Sequence, residues 1–207
     1  MGVRGALVLT AALVAAATIG APGAAATELC SAAQTPCTAT MYGSGTTLKG
    51  EGWKGGVVLI ETSLGKIQCT STGFSAATSS TGGSGIAISG EMGSIAFNLC
   101  KMSATTCTSG TVNLPYNLSI KGGGTSAFSP YELELTDSSG VGAYLHCGSL
   151  IDCTFTTKSA VLDGLNEAGK PSFLAMEPMT MSGGLCPFKA TWTATYEISQ
   201  PSPLWVV

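Results

Sequence analysis

Apolar and polar positions alternate along most of the chain. "SIAFNL" sets Ile95, Phe97 and Leu99 on one face, and "YNLSI" does the same with Tyr116, Leu118 and Ile120. "YELEL" opposes Tyr131, Leu133 and Leu135 to Glu132 and Glu134. "VGAYLHC" aligns Val141, Ala143, Leu145 and Cys147, and "TWTATYEI" aligns Trp192, Ala194, Tyr196 and Ile198 against threonines and Glu197. A period of two with β-branched and aromatic enrichment is the signature of a half-buried strand. Residues 57–62, 66–71 and 86–91 read as strands on the same grounds. No stretch after residue 27 keeps an apolar 3.6 period for three turns. The nearest, "AVLDGLNEAG" (160–169), is weakened as a helix by Gly164 and Gly169. Glycine-rich punctuation recurs at Gly55-Gly56, Gly65, Gly82-Gly83, Gly122 to Gly124, Ser139-Gly140 and Gly183-Gly184. The pattern predicts an all-β, antiparallel sandwich or barrel of about ten to twelve short strands.

The N-terminus departs from this pattern. Arg4 precedes an apolar run from Ala6 to Ile19, then Gly20, Pro22 and Gly23 break it and small residues follow. That order predicts a secretory signal peptide over 1–26, cleaved after the Ala24-x-Ala26 pattern so that Thr27 begins the mature chain. The run is shorter than the roughly 20 residues a spanning helix needs, which argues against a membrane anchor. Lipidation at Cys30 is disfavoured because Leu29 and Glu28, not small residues, precede it. The closing "SPLWVV" is too short to span a bilayer. Residues 27–207 read as a single secreted β domain, with "KGGGTS" (121–126) as the candidate point of subdivision.

Charge narrows the partners. After residue 26 the chain carries twelve Asp and Glu against eight Lys and no Arg. Nucleic-acid and anionic-membrane binding both need a basic surface, so neither is expected, nor is membrane insertion once the signal is cleaved. A neutral polysaccharide or cell-wall component is the candidate partner.

Eight cysteines stand at 30, 37, 69, 100, 107, 147, 153 and 186. No C-x-x-C occurs, zinc-ligand spacings are absent and His146 is the only histidine, so redox, metal and cofactor roles are not expected. An even count behind an export signal predicts a disulfide framework. Three short-range pairs suggest themselves: Cys30–Cys37, Cys100–Cys107 and Cys147–Cys153. Residues 27–121 hold five cysteines and 125–207 hold three, so one bridge must join the halves. By elimination it is Cys69–Cys186.

Several stretches also carry a resemblance. "GTTLKG", "GKIQCT", "IAFNLC", "VNLPYNLSI" and "GGLCPFKATWTATYEI", ahead of a "PLWVV" end, resemble a group of uncharacterised, secreted, cysteine-paired β-rich proteins of actinobacteria. The resemblance spans most of the chain after residue 27. It implies an extracytoplasmic location and a β fold. No residue role follows from it.

Candidate chemistry is sparse. His146 could serve a Ser-His-Asp enzyme, but no G-x-S-x-G elbow occurs and it alternates away from Leu145 and Cys147, so it reads as an exposed strand residue. Glu132 and Glu134 share a strand face about 7 Å apart, a glycosidase-like spacing, but glycosidase pairs usually come from different strands flanking a cleft, and like charges two apart on one strand are far more often a solvated face. Asp163, Asn166 and Glu167 offer oxygens to calcium, but "DGLNE" also reads as a turn with a polar stretch. Asn117-Leu118-Ser119 is a glycosylation acceptor in the middle of a strand. Trp53, between glycines, and Tyr42 are the candidate ligand-stacking aromatics, whereas Trp192 reads as core. The functional expectation is therefore a secreted, non-enzymatic β domain with a binding or structural role at or outside the cell envelope. The alternative is an extracellular hydrolase of polysaccharide using carboxylates such as Glu132 or Glu134.

Overall fold

A computed structural model describes residues 26–34, 36–53, 58–126, 129–149, 151–167, 170–183, 186 and 189–207. The expected signal segment 1–25 lies outside the described residues. The strands in chain order are β1 (Ala26–Thr27), β2 (Leu29–Cys30), β3 (Met41–Tyr42), β4 (Thr47–Gly52), β5 (Val58–Thr62), β6 (Gly65–Thr78), β7 (Gly83–Ser84), β8 (Ile88–Met102), β9 (Thr105–Val112), β10 (Tyr116–Ser126), β11 (Ser129–Cys147), β12 (Ile151–Glu167), β13 (Lys170–Ser182), β14 (Lys189–Gln200) and β15 (Trp205–Val206).

Ten of them close an up-and-down antiparallel barrel of eight staves. β4 with β5 forms the first stave, then β6, β8, β9 with β10, β11, β12, β13 and β14, which returns to pair with β4 and β5. Closure gives each stave of the barrel a neighbour on both sides, which removes the open edges a flat sheet would have. The expected strands are present, but several are long: β11 has 19 residues and β12 has 17. The turn signals misled because glycine here bends strands as well as ending them. Gly140 (φ 103°) sits in a register shift inside β11, "KGGGTS" runs through the end of β10, and "DGLNE" lies within β12.

The alternation faces apolar side chains inward. Leu48, Ile67, Phe74, Tyr116, Leu133, Leu145, Phe155, Phe173, Trp192 and Ile198 are all buried in one core. Eight staves enclose just enough space for side chains to fill. Aromatic rings lie over glycines to use it: Phe74 faces Gly50 and Tyr131 faces Gly164. A Cβ on Gly50 would fall 2.1 Å from the Phe74 ring, and one on Gly164 would fall 1.9 Å from Tyr131. Only glycine admits such contact. A void lined by Ile95, Phe97, Val141, Met179 and Trp192 measures about 10 Å³.

One expected face breaks. Ile95 and Phe97 point inward, but Leu99 is 68% exposed. Its φ of 49° shifts the alternation by one, so Cys100 points inward opposite Cys69. Nearby, side-chain hydroxyls bind the wall together. Ser109 Oγ and Thr111 Oγ1 of β9 donate to the carbonyls of Phe97 and Ile95 on β8.

The disulfide pairing corrects the sequence reading. Cys30–Cys37 forms, but the other bridges are Cys69–Cys100, Cys107–Cys147 and Cys153–Cys186, not Cys100–Cys107, Cys147–Cys153 and Cys69–Cys186. The reason is geometric. Cys69, Cys100, Cys107 and Cys147 stand in one row across β6, β8, β9 and β11, so Cys100 and Cys107 each have a cysteine on either side, while Cys153 stands opposite Leu145 and not Cys147. Sequence spacing sees only the neighbour across the hairpin. The bridge that parity demanded is Cys107–Cys147. These three bonds gird one end of the barrel. At the other end, β2 pairs with both β15 and β3, and Glu28 and Val207 exchange backbone hydrogen bonds at 2.7 and 3.0 Å. That small sheet draws the two ends of residues 26–207 together.

Candidate functional site

The inward residues make a core, so functional groups must be sought on the wall. Glu132 and Glu134 project outward from β11. Glu134 Oε2 lies 3.0 Å from Lys121 Nζ, and its Oε1 accepts from Ser159 Oγ at 3.0 Å. The Lys121 hydrogen bond, and then that of Ser159, hold its carboxyl below the ordinary value. Glu132 stands in register between Lys121 and Asp163. A glycosidase acid needs a raised pKa beside an enclosed substrate. Glu134 has the opposite shift on a convex surface.

His146 also faces outward. It is the cross-strand partner of Asp152, with Nδ1 3.8 Å from Oδ1 and its side chain half exposed. Asp163 is exposed on the outer wall, whereas Asn166 spends both amide atoms on the Val206 backbone. The candidate calcium ligands are thus divided, and the Glu167 side chain lies outside the described residues. No group of three metal-binding side chains occurs among the described residues. Asn117 is exposed at the start of β10, as its second residue, and not in mid-strand as the sequence suggests.

The candidate stacking aromatics are separated. Tyr42 belongs to the terminal sheet, where its hydroxyl donates to Pro203 O at 2.9 Å. Trp53 follows the other end of β4 and is 36% exposed. It comes two positions after Glu51, which lines an open trough of about 480 Å³ on the outer wall. The trough crosses β14, β4, β6 and β8. Its floor is shallow because Gly73 and Ala96 are cross-strand partners with little side chain. Its polar groups include Ser75 opposite Ser94, Asn98, Gln200, and the oppositely charged Lys49 and Glu51. Sequence reasoning missed this trough. Its signal was small polar residues at alternate positions of strands that only barrel closure makes neighbours.

Three buried tyrosines show how the core handles polar atoms. The Tyr116 hydroxyl donates to Gly142 O at 3.0 Å and to Val112 O, and accepts from Gly142 N at 3.1 Å. Tyr131 donates to Leu165 O at 2.5 Å and Ser172 O at 3.3 Å. Tyr196 Oη and Trp192 Nε1 have no hydrogen bond of good geometry, although the rings pack edge-on at 6.3 Å. Burial raises the pKa of all three phenols above the ordinary value, keeping them neutral; the Trp192 N–H exerts a smaller opposite pull on Tyr196.

The fold defines a class: a closed, eight-stave, disulfide-bonded β-barrel with an apolar interior packed with side chains. Comparison with protein-family models, curated proteins and solved structures finds no match. Four disulfides are consistent with an extracellular protein.

Proposed function

We propose that the chain is a secreted, non-enzymatic binding domain of the cell exterior, and that it holds a neutral polysaccharide or cell-wall glycan in the trough over β4, β6 and β8. The observation that carries the reading is the filled barrel. Buried side chains from every stave pack into one core, and the void beside Phe97, Met179 and Trp192 is only about 10 Å³, which directs ligand contacts to the outer wall. The trough offers hydroxyl and amide partners and charges of both signs, which suits a neutral, hydroxyl-rich ligand. Trp53, two positions along the chain from Glu51 of the trough, is an exposed ring of the kind on which sugars stack. Secretion rests on the signal-like residues 1–26 together with the four bridges.

The test is incubation of the purified protein with insoluble polysaccharides and cell-wall material. Depletion from solution without released sugar is expected, with at least tenfold weaker depletion by Trp53→Ala and Asn98→Ala. Released sugar would favour the carboxylate hydrolase. Neither depletion nor release would leave a structural role.

A further inference from the structure

The wall opposite the trough has a different character. β12 lies four staves from β6, diametrically across the barrel. Here both faces of the sheet carry apolar residues. Leu162, Phe173 and Ala175 fill the core, while Val161, Leu165, Leu174 and Met176 point outward with exposures of 39, 39, 37 and 65%. Leu174 pairs with Asp163, which the strand alternation sets between Val161 and Leu165. On the β14 side, Thr195 and Thr193 face Leu174 and Met176. A contiguous exposed apolar strip rimmed by polar groups marks an interaction surface.

Its rim is acidic. Glu132 and Glu134 are the cross-strand partners of Asp163 and Val161. Glu177 accepts the Val161 N–H at 2.6 Å. Its carboxyl is held above the ordinary value by burial first, with Asp163's charge adding to it. The nearby cations are largely committed: Lys121 pairs with Glu134 at 3.0 Å and Lys170 with Glu197 at 2.9 Å. Lys158, on the irregular stretch of β12, is the remaining lysine at the margin.

We propose that the β12–β13 strip docks a cationic amphipathic peptide segment, with its apolar side chains on Val161, Leu174 and Met176 and its Lys or Arg side chains over Asp163 and Glu177. Charge complementarity selects this occupant. A second copy of the chain would set acidic rim against acidic rim, and anionic lipid would be repelled in the same way. A neutral glycan would leave the apolar strip unmatched. The inference is independent of the glycan reading, because the two faces share no residue.

The test titrates the full mature protein against a fluorescein-labelled peptide of Leu and Lys. Leu/Glu and Ser/Lys peptides of the same length serve as controls. The Leu/Lys peptide is expected to bind, and the Leu174→Ser, Met176→Ser double variant to bind at least tenfold more weakly with an unchanged melting curve. Asp163→Asn is expected to weaken binding at low salt and to reduce its salt dependence. Trp53→Ala, aimed at the other wall, leaves peptide binding unchanged. Absence of binding overturns the proposal. So does equal binding by the Leu/Glu peptide, or affinity unmoved by the double variant. A dimer in sedimentation velocity that the double variant dissolves also overturns it, making the occupant a second copy.

Discussion

The three buried tyrosines allow the polar accounting of the core to be tested by removing one oxygen at a time. Tyr116, Tyr131 and Tyr196 are all essentially inaccessible, so each Tyr→Phe change deletes a buried hydroxyl and leaves the ring. The outcomes should differ because the partners differ. Removing the Tyr116 hydroxyl strands the Gly142 N–H and takes a donor from two carbonyls. A buried group left unpaired costs about 1–3 kcal/mol, so Tyr116→Phe should lose about 2–3 kcal/mol. Tyr131→Phe takes a donor from the carbonyls of Leu165 and Ser172, so about 1 kcal/mol is expected. The Tyr196 hydroxyl is buried without a good partner, so Tyr196→Phe should change stability by about 0, or raise it by up to about 1 kcal/mol. The assay is equilibrium urea unfolding of the oxidised protein, comparing midpoints at constant slope. A Tyr196→Phe loss above about 1 kcal/mol would mean its hydroxyl has a partner, and the accounting would fail. An unchanged Tyr116→Phe would refute it from the other side.

Three further expectations follow from the same structure. Non-reducing peptide mapping should recover Cys69–Cys100, Cys107–Cys147 and Cys153–Cys186. In the chain-entropy model, paired alanine replacement at Cys107 and Cys147 (separation 40) should cost about 4 kcal/mol, against about 2.5 for Cys30 and Cys37 (separation 7); a linked Cys100–Cys107 peptide would sink the row argument. Gly164→Val drives a side chain into the Tyr131 ring and should destabilise by at least about 1–3 kcal/mol in thermal melts, whereas a neutral result would mean the ring is free to move. Glu134 has a depressed folded pKa, so its stabilisation is present above its unfolded value and lost as pH falls through the folded one. Glu134→Gln should therefore flatten the acid-side loss of melting temperature, while Glu177→Gln, removing a carboxyl with a raised value, should raise it near neutral pH.

What was legible in the sequence was whatever depends on local alternation. The inward sets Tyr131–Leu133–Leu135, Val141–Ala143–Leu145 and Trp192–Ala194–Tyr196 could be read from period two because their strands run regularly there. Leu99 could not, since one positive φ reverses the face without altering the apolar pattern. The disulfides failed for a related reason. Cys100 meets Cys69 only after β6 and β8 are paired, and Cys147 meets Cys107 only after β11 lies beside β9. The trough and the β12–β13 strip have the same origin. Each is made of residues whose outward direction is local but whose neighbours are set by closure. Catalytic motifs, by contrast, would be written in the sequence by residue type and spacing, and it was on that level that the chain offered least.

Closure also has a weakest line, and its position follows from the connectivity. Two bridges cross between staves, β6 to β8 and β9 to β11, while a third ties β12 to the segment before β14. No described bridge joins β14 to β4 or β5. That line brings residues 47–62 against residues 189–200, the longest sequence separation in the wall, so its closure orders the largest loop. Among the described residues its ladder is Lys49–Gly52 against Tyr196–Gln200 and Leu59–Thr62 against Ala190–Thr193. The terminal sheet clasps it at one end only, through the Leu29–Val206 pairing and the Tyr42 bond to Pro203. Sub-global opening should therefore begin there. Native-state hydrogen exchange should find the β5–β14 amides exchanging through a lower free energy than the β11–β12 amides, and Tyr42→Phe should widen the gap by about 1 kcal/mol. Equal protection across both ladders would show that the barrel opens only as a whole, and that backbone pairing holds this line as firmly as the bridges hold the others.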